Sequence, residues 1–209
     1  MGRVEEILAR IDKLFPNAAI ELKHTNPLEL LIAVMLSAQS TDAAVNKTTE
    51  SLFKRYKTLE DYIGAPLEDL EETIRSLGLY KNKAKNIQNT CIALKERFDG
   101  NVPKTQEELE SLPGVGRKTA NVVLSVLYGE PRIAVDTHVA RVSKRLKIAA
   151  KKDTPRQVEE KLMKSLPEER WSKAHHQFIF FGRYHCTARR PKCEGCPLKE
   201  YCRYPDIHV

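Results

Sequence analysis

The run Leu112-Pro113-Gly114-Val115-Gly116-Arg117-Lys118-Thr119-Ala120-Asn121 joins two helical segments. One helix ends at the proline, a Gly-x-Gly turn follows, and the mostly apolar stretch ANVVLSVL continues a second helix. Two glycines allow positive φ and let the backbone come close to a partner, while the unpaired N–H groups of the new helix point outward. Such a turn is an anion site, and with Arg117 and Lys118 beside it a phosphate is the natural guest. The same spacing also serves an ordinary helix-turn-helix connection in which glycine supplies geometry alone.

Outward from that turn the chain keeps a helical period. Val4, Ile7, Leu8, Ile11, Leu14 and Phe15, with charges between them, predict an amphipathic helix over 3–15 that Pro16 ends. Asn26, Pro27 and Glu29 put an N-cap, a first-position proline and a first-turn acid ahead of LELLIAVMLSA, which is apolar nearly all round and therefore central. Gln39, Ser40, Thr41 and Asp42 interrupt it with cap residues and start another helix. Further starts fall at Thr58 with Asp61, at Ala65-Pro66, at Thr105 with Glu108 and at Thr154-Pro155 with Gln157; Gly78, Gly100 and Gly129 stand where C-caps belong. No stretch alternates with period two, and residues 132–135 are too few to argue for a sheet. The expected fold class is all-α in two helical lobes, with about ten helices and short connections. Because the N-terminal helix has an apolar face and no local partner, residues 22–132 are expected to form one contiguous domain, and 1–21 to pair with 133–209.

At 209 residues, and about 150 per domain, the chain has room for one large domain or two small ones with an ample core. Hydrophobic residues at 41% and charged residues at 30% exclude a disordered or collagenous chain. The longest apolar run, residues 30–36, falls far short of the roughly 20 residues that span a bilayer, so no membrane role is expected. The N-terminal MGRVEEILARIDKLF has acids where a signal peptide is basic, and Glu6 stands where a myristoylation motif has Ser or Thr; a cytoplasmic location is expected. Thirty-five Lys and Arg against 28 Asp and Glu leave a net charge of +7, which points to a polyanion such as nucleic acid.

Four of the five cysteines are crowded together as Cys186-x6-Cys193-x2-Cys196-x5-Cys202, while Cys91 is alone. In a reducing compartment such a crowd suggests a metal; soft thiolates suit zinc or an iron–sulfur cluster, and ligand chemistry alone leans toward a four-cysteine zinc site. Arg189, Arg190 and Lys192, between the first two cysteines, form a basic loop tip suited either to phosphate or to solvent. In Val135-Asp136-Thr137-His138, Asp136 reads most simply as the N-cap of the following helix.

LPGVGRKTAN, VDTH, NPLELLIAVMLSAQSTD, LGLYKNKAKNI and the cysteine spacing together closely resemble the endonuclease III family of helix-hairpin-helix DNA glycosylases, over nearly the whole chain. The resemblance implies a bifunctional DNA glycosylase and abasic-site lyase of base excision repair, which excises oxidised pyrimidines through a lysine imine and cleaves the strand by β-elimination. It implies Lys118 as nucleophile, Asp136 as catalytic carboxylate, and Cys186, Cys193, Cys196 and Cys202 as ligands of a 4Fe-4S cluster in the domain formed by 1–21 with 133–209. It further implies DNA contacts from Gly114, Val115, Gly116 and Arg117, from Arg189, Arg190 and Lys192, and from Gln39 and Leu79, which would fill the hole left by an extruded base and wedge the opposite strand. The implied partner is double-stranded DNA with a damaged pyrimidine or abasic site, met by a cytoplasmic monomer that works with the nucleoid if prokaryotic.

The residue chemistry suits these roles. An amine that attacks a sugar carbon must be deprotonated, and the positive end of the helix dipole at Lys118 disfavours a second positive charge. An ionised Asp136 can accept the proton and steady positive charge developing on the sugar. Two rivals remain. A monofunctional adenine glycosylase would lack the lysine and is expected to continue into a further C-terminal domain, whereas Lys118 is present and seven residues follow Cys202. A non-catalytic helix-hairpin-helix module with a structural metal would bind DNA without turnover.

Overall fold

Caps set the helix starts in this chain. In the computed structural model, which describes residues 2–204, Asn26 accepts a 2.9 Å bond from Glu29 N ahead of Pro27, Thr41 accepts from Ala44 N, and Thr58, Thr105 and Thr154 each accept from the N–H three residues on. The α-helices among the described residues are α1 (Arg3–Leu14), α2 (Pro27–Leu36), α3 (Asp42–Arg55), α4 (Leu59–Gly64), α5 (Leu67–Thr73), α6 (Tyr80–Arg97), α7 (Gln106–Glu110), α8 (Arg117–Tyr128), α9 (Thr137–Arg145), α10 (Pro155–Ser165) and α11 (Trp171–Phe180), and no strand accompanies them. None is long and apolar enough to cross a membrane.

The chain divides into two compact units, one of them Glu21–Gly129 and the other the residues up to Ile20 with those from Glu130 on. In the first unit α2 is the hub. All of residues 30–36 are buried, and α3, α6 and α8 pack around them while α4 and α5 cover α6. Being apolar all round, α2 cannot lie on a surface, so it gathers the other helices about itself.

In the second unit α1 buries Val4, Ile7, Leu8 and Ile11 among Val139 and Val142 of α9, Val158 and Leu162 of α10, and Ala174 and Phe178 of α11. The period of α1 is thereby satisfied by elements more than a hundred residues away. After α11 the backbone widens into a π-helical turn over Phe181–His185 that delivers Cys186. The amide of Cys186 bonds Phe181 O at 2.6 Å.

One cap expectation is corrected. Gly100 and Gly129 take the left-handed region with φ of 75° and 68°, but Gly78 does not; Leu79 adopts φ of 60° instead and serves as the N-cap of α6. Ala65-Pro66 likewise starts α5 with Pro66 as N-cap and no side-chain cap bond.

Gly182, in the π-helical turn, lies close against α9. A methyl there would meet His138 Cβ at 2.9 Å, Val142 Cγ2 at 3.1 Å and His138 Cα at 3.3 Å, so α9 would have to move. Gly182→Ala is expected to destabilise this unit by about 1–3 kcal/mol, seen as a lowered thermal midpoint; an unchanged midpoint would show that α9 yields freely.

Candidate functional site

The turn at Leu112 is built from below by α6. Thr90 Oγ1, buried on that helix, donates a 2.7 Å bond to Pro113 O, and Arg97 reaches Ser111 Oγ at 2.7 Å. Leu112 and Val115 are buried, and the Val115 amide closes the turn on Leu112 O at 3.1 Å. The two glycines differ in purpose. Gly114 has φ of 75°, and a Cβ there would overlap the Asn86 side chain at 2.6–2.8 Å, so the fold itself requires glycine. Gly116 is extended and a Cβ would meet nothing within 4 Å, so its missing side chain leaves space on the outside. As N-cap of α8 it offers no side-chain cap, and no acid occupies the first turn; Arg117 and Lys118 stand there, exposed. A helix start with this electrostatics suits an external anion.

Asp136 caps α9, its Oδ1 accepting from Val139 N at 2.8 Å, which leaves the carboxylate its second oxygen. His138, on the first turn of the same helix, lies 3.2 Å from Arg141 Nη2 through Nδ1. Burial, opposed by Asp136 and assisted by Arg141, holds the imidazole below the usual histidine range. Lys118 belongs to the Glu21–Gly129 unit and Asp136 to the other.

Gln39 and Leu79 come together in the first unit. Each is an exposed non-glycine residue in the left-handed region, with φ of 54° and 60°. The position a Gly78 Cβ would take is 4.0 Å from Gln39 O, so their two turns touch. Leu79 is 54% exposed, which excludes the ordinary cap-closing hydrophobic contact. Exposed side chains on strained backbone are a recurring mark of contact residues.

The four crowded cysteines all line one cavity, with Leu146, Phe181, His185, Pro191, Lys192, Leu198 and Tyr204, and all are free thiols. Four soft sulfur donors around one cavity are the donor set that an iron–sulfur cluster takes. Burial pushes the Cys186 and Cys196 thiols up, and the other cysteines push Cys196 further in the same direction. Arg145 opposes this at Cys186: its Nη1 donates to Cys186 Sγ at 3.2 Å and to Thr187 O at 2.7 Å, and its Nη2 to Ala188 O at 3.0 Å. Arg141 Nε adds a bond to Cys186 O at 3.2 Å. These two arginines fix the base of the loop whose tip exposes Arg189, Arg190 and Lys192.

Neither arginine was legible as a functional residue. In sequence Arg145 reads as a basic residue complementing the end of α9, and only its burial shows where it points. Lys83 on α6 is buried likewise, with nothing in its neighbouring residues to mark it. Cys91, by contrast, is plain core, its thiol pushed up to about 12 by burial, and Trp171 donates Nε1 to Leu166 O.

Residues 32–168 match the HhH-GPD superfamily of base excision DNA repair proteins, and residues 186–202 the iron–sulfur binding domain of endonuclease III. Endonuclease III of Bacillus subtilis (strain 168) is 56% identical over 203 residues, covering 97% of this chain and 93% of that protein. Endonuclease III of Escherichia coli (strain K12) is 46% identical over 201 residues, covering 96% and 95%. A solved trapped endonuclease III–DNA covalent intermediate superposes with a TM-score of 0.94 at 57% identity, covering 96% of this chain and 94% of the other. The turn at Gly116, the cap at Asp136 and the four-cysteine cavity therefore sit in a chain that belongs to the endonuclease III family, the base excision DNA glycosylases and abasic-site lyases that carry a 4Fe-4S cluster.

Proposed function

We propose that this enzyme excises oxidised pyrimidines from double-stranded DNA with Lys118 as nucleophile and Asp136 as proton acceptor, acting as a monomer in the cytoplasm. The observation that carries the reading is the start of α8, where an open glycine without a side-chain cap and two exposed basic residues stand in place of the usual cap and acid. In the reaction, Lys118 Nζ attacks C1′ of the sugar as the C1′–base bond breaks, and the bond pair leaves with the base. Asp136 takes the proton released from the amine and steadies positive charge on the sugar. The sugar ring then opens, the C1′–O4′ bond pair and a proton going to O4′ as the nitrogen lone pair completes the imine; the imine acidifies C2′, loss of a C2′ proton expels the 3′ phosphate by β-elimination, and water adds to the imine carbon to free Lys118.

Cys186, Cys193, Cys196 and Cys202 would hold the cluster, which when bound supplies iron–thiolate bonds that stabilise its domain. The chain's own part is to present Arg189, Arg190 and Lys192 on a loop whose base Arg141 and Arg145 secure. Gln39 and Leu79 would fill and wedge the duplex where the base has left, since the reacting sugar bond is inaccessible while the base is stacked. A non-catalytic binding module is the reading these roles displace, and turnover on DNA with one abasic site separates the two.

Lys118→Gln keeps length and polarity, so borohydride trapping on abasic DNA should vanish while binding survives. Asp136→Asn keeps a good cap, so the fold should persist while turnover falls by about 100- to 10,000-fold; near-full rates with an unchanged melting temperature would reduce Asp136 to a cap. The glycines should also part company. Gly116→Ala should leave stability within about 0.5 kcal/mol yet weaken DNA binding, whereas Gly114→Ala should cost about 1–3 kcal/mol of stability. Equal stability losses for both would remove Gly116 from the interface. Arg190→Ala should lower affinity alike on all sequences and reduce the salt slope by about one unit; an unaltered slope would take the loop off the DNA. Purified protein should be yellow-brown with about four irons per chain, and a colourless, fully active zinc protein would overturn the ligand assignment.

A further inference from the structure

Three lysines fall in the first turns of α6, and only two of them face solvent. Lys81 and Lys85 are exposed, but Lys83 is turned inward and is 7% exposed. Among the described residues no acid pairs with it; its ammonium donates to Ser40 Oγ at 2.9 Å. Burial lowers the tendency of this amine to carry its proton, so the site bears a cost that an exposed lysine would avoid. Sequence neighbours show what this contact joins. Ser40 follows Gln39 and precedes Thr41, the cap of α3. The Lys83 amide bonds Leu79 O at 3.0 Å in the first turn of α6. One side chain therefore runs from the turn that presents Leu79 to the turn that presents Gln39, and both turns are left-handed at a non-glycine residue. Left to themselves, such turns relax independently, because nothing local favours that conformation for Gln or Leu.

We infer that Lys83 is a positioning residue, whose bond to Ser40 locks the Gln39 and Leu79 turns into one preformed unit for opening the DNA duplex. The inference rests on the reading above that Gln39 and Leu79 enter the duplex. Two probes held in fixed relation can fill the vacated space and wedge the opposite strand together, without first ordering two loops. The tether acts on extrusion of a stacked base and leaves the bond-making at Lys118 alone.

The test uses the full-length protein with its cluster and two duplexes, one carrying a single oxidised pyrimidine opposite guanine and 2-aminopurine beside it, the other a preformed abasic site. Lys83→Met keeps the apolar stem and removes the donor; it should slow base excision by about 10- to 100-fold and delay the 2-aminopurine rise, while trapping at the abasic site, where no base must be unstacked, stays within about threefold. Ser40→Ala should reproduce this selective loss, and also decides the matter should Lys83→Met fold poorly. The double variant should be no slower than Lys83→Met, and Lys83→Gln, which keeps a donor, should recover most of the rate. Equal losses on both duplexes, additive losses in the double variant, or a salt slope reduced by about one unit, the mark of a phosphate contact, would overturn the tether. Gln39→Ala and Leu79→Ala serve as the reference. If they slow extrusion while Lys83→Met does not, the tether alone is wrong; if they leave it unchanged, the duplex-entry reading is wrong and the tether falls with it.

Discussion

A helix that is apolar on every side has to be surrounded, and that constraint organises the Glu21–Gly129 unit. With residues 30–36 of α2 wholly buried, α3, α6 and α8 must pack against it. Each of those helices then starts in a turn that cannot be core. The turn before α3 holds Gln39, the one before α6 holds Leu79, and the one before α8 holds Gly114 and Gly116. The candidate DNA-contact residues of this unit are thus the N-terminal connections of the helices that α2 recruits.

α6 is the member that disciplines these connections. Along its length Lys83 reaches the Ser40 turn, Asn86 lies where a Gly114 Cβ would go, Thr90 holds the Pro113 carbonyl and Arg97 holds Ser111. Preorganisation of this kind matters for a backbone grip. Amides that must meet a phosphate give little affinity if they have to be ordered on binding. On the proposed reading, glycine at position 116 brings no capping side chain to compete with a ligand at the start of α8.

In the other unit the governing difficulty is electrostatic. Four cysteines around one cavity must become thiolates to hold iron, and burial resists that at Cys186 and Cys196. Arg145 supplies a buried positive charge at Cys186 and ties the following backbone through Thr187 and Ala188, with Tyr204 stacked on its guanidinium at 4.3 Å. One side chain therefore touches both a cysteine of the cavity and the backbone that leads into the basic loop.

The helical class, the cap at Asn26, the central position of α2, the turn at Gly114 and the crowding of four cysteines follow from local pattern, since period, cap chemistry and spacing are properties of neighbouring residues. The sequence by itself also made Gly114 and Gly116 look equivalent and placed a C-cap at Gly78. Tertiary packing decided otherwise. Asn86 makes glycine obligatory at 114, open space surrounds 116, and the left-handed residue is the exposed Leu79, whose turn lies beside that of Gln39. Lys83, Arg141 and Arg145 were invisible as anything but surface charge, because a charged residue with solvent and one buried against a carbonyl or thiol have the same letters around them. Burial of a charge depends on what distant segments bring to it, and that information exists only once the chain has folded.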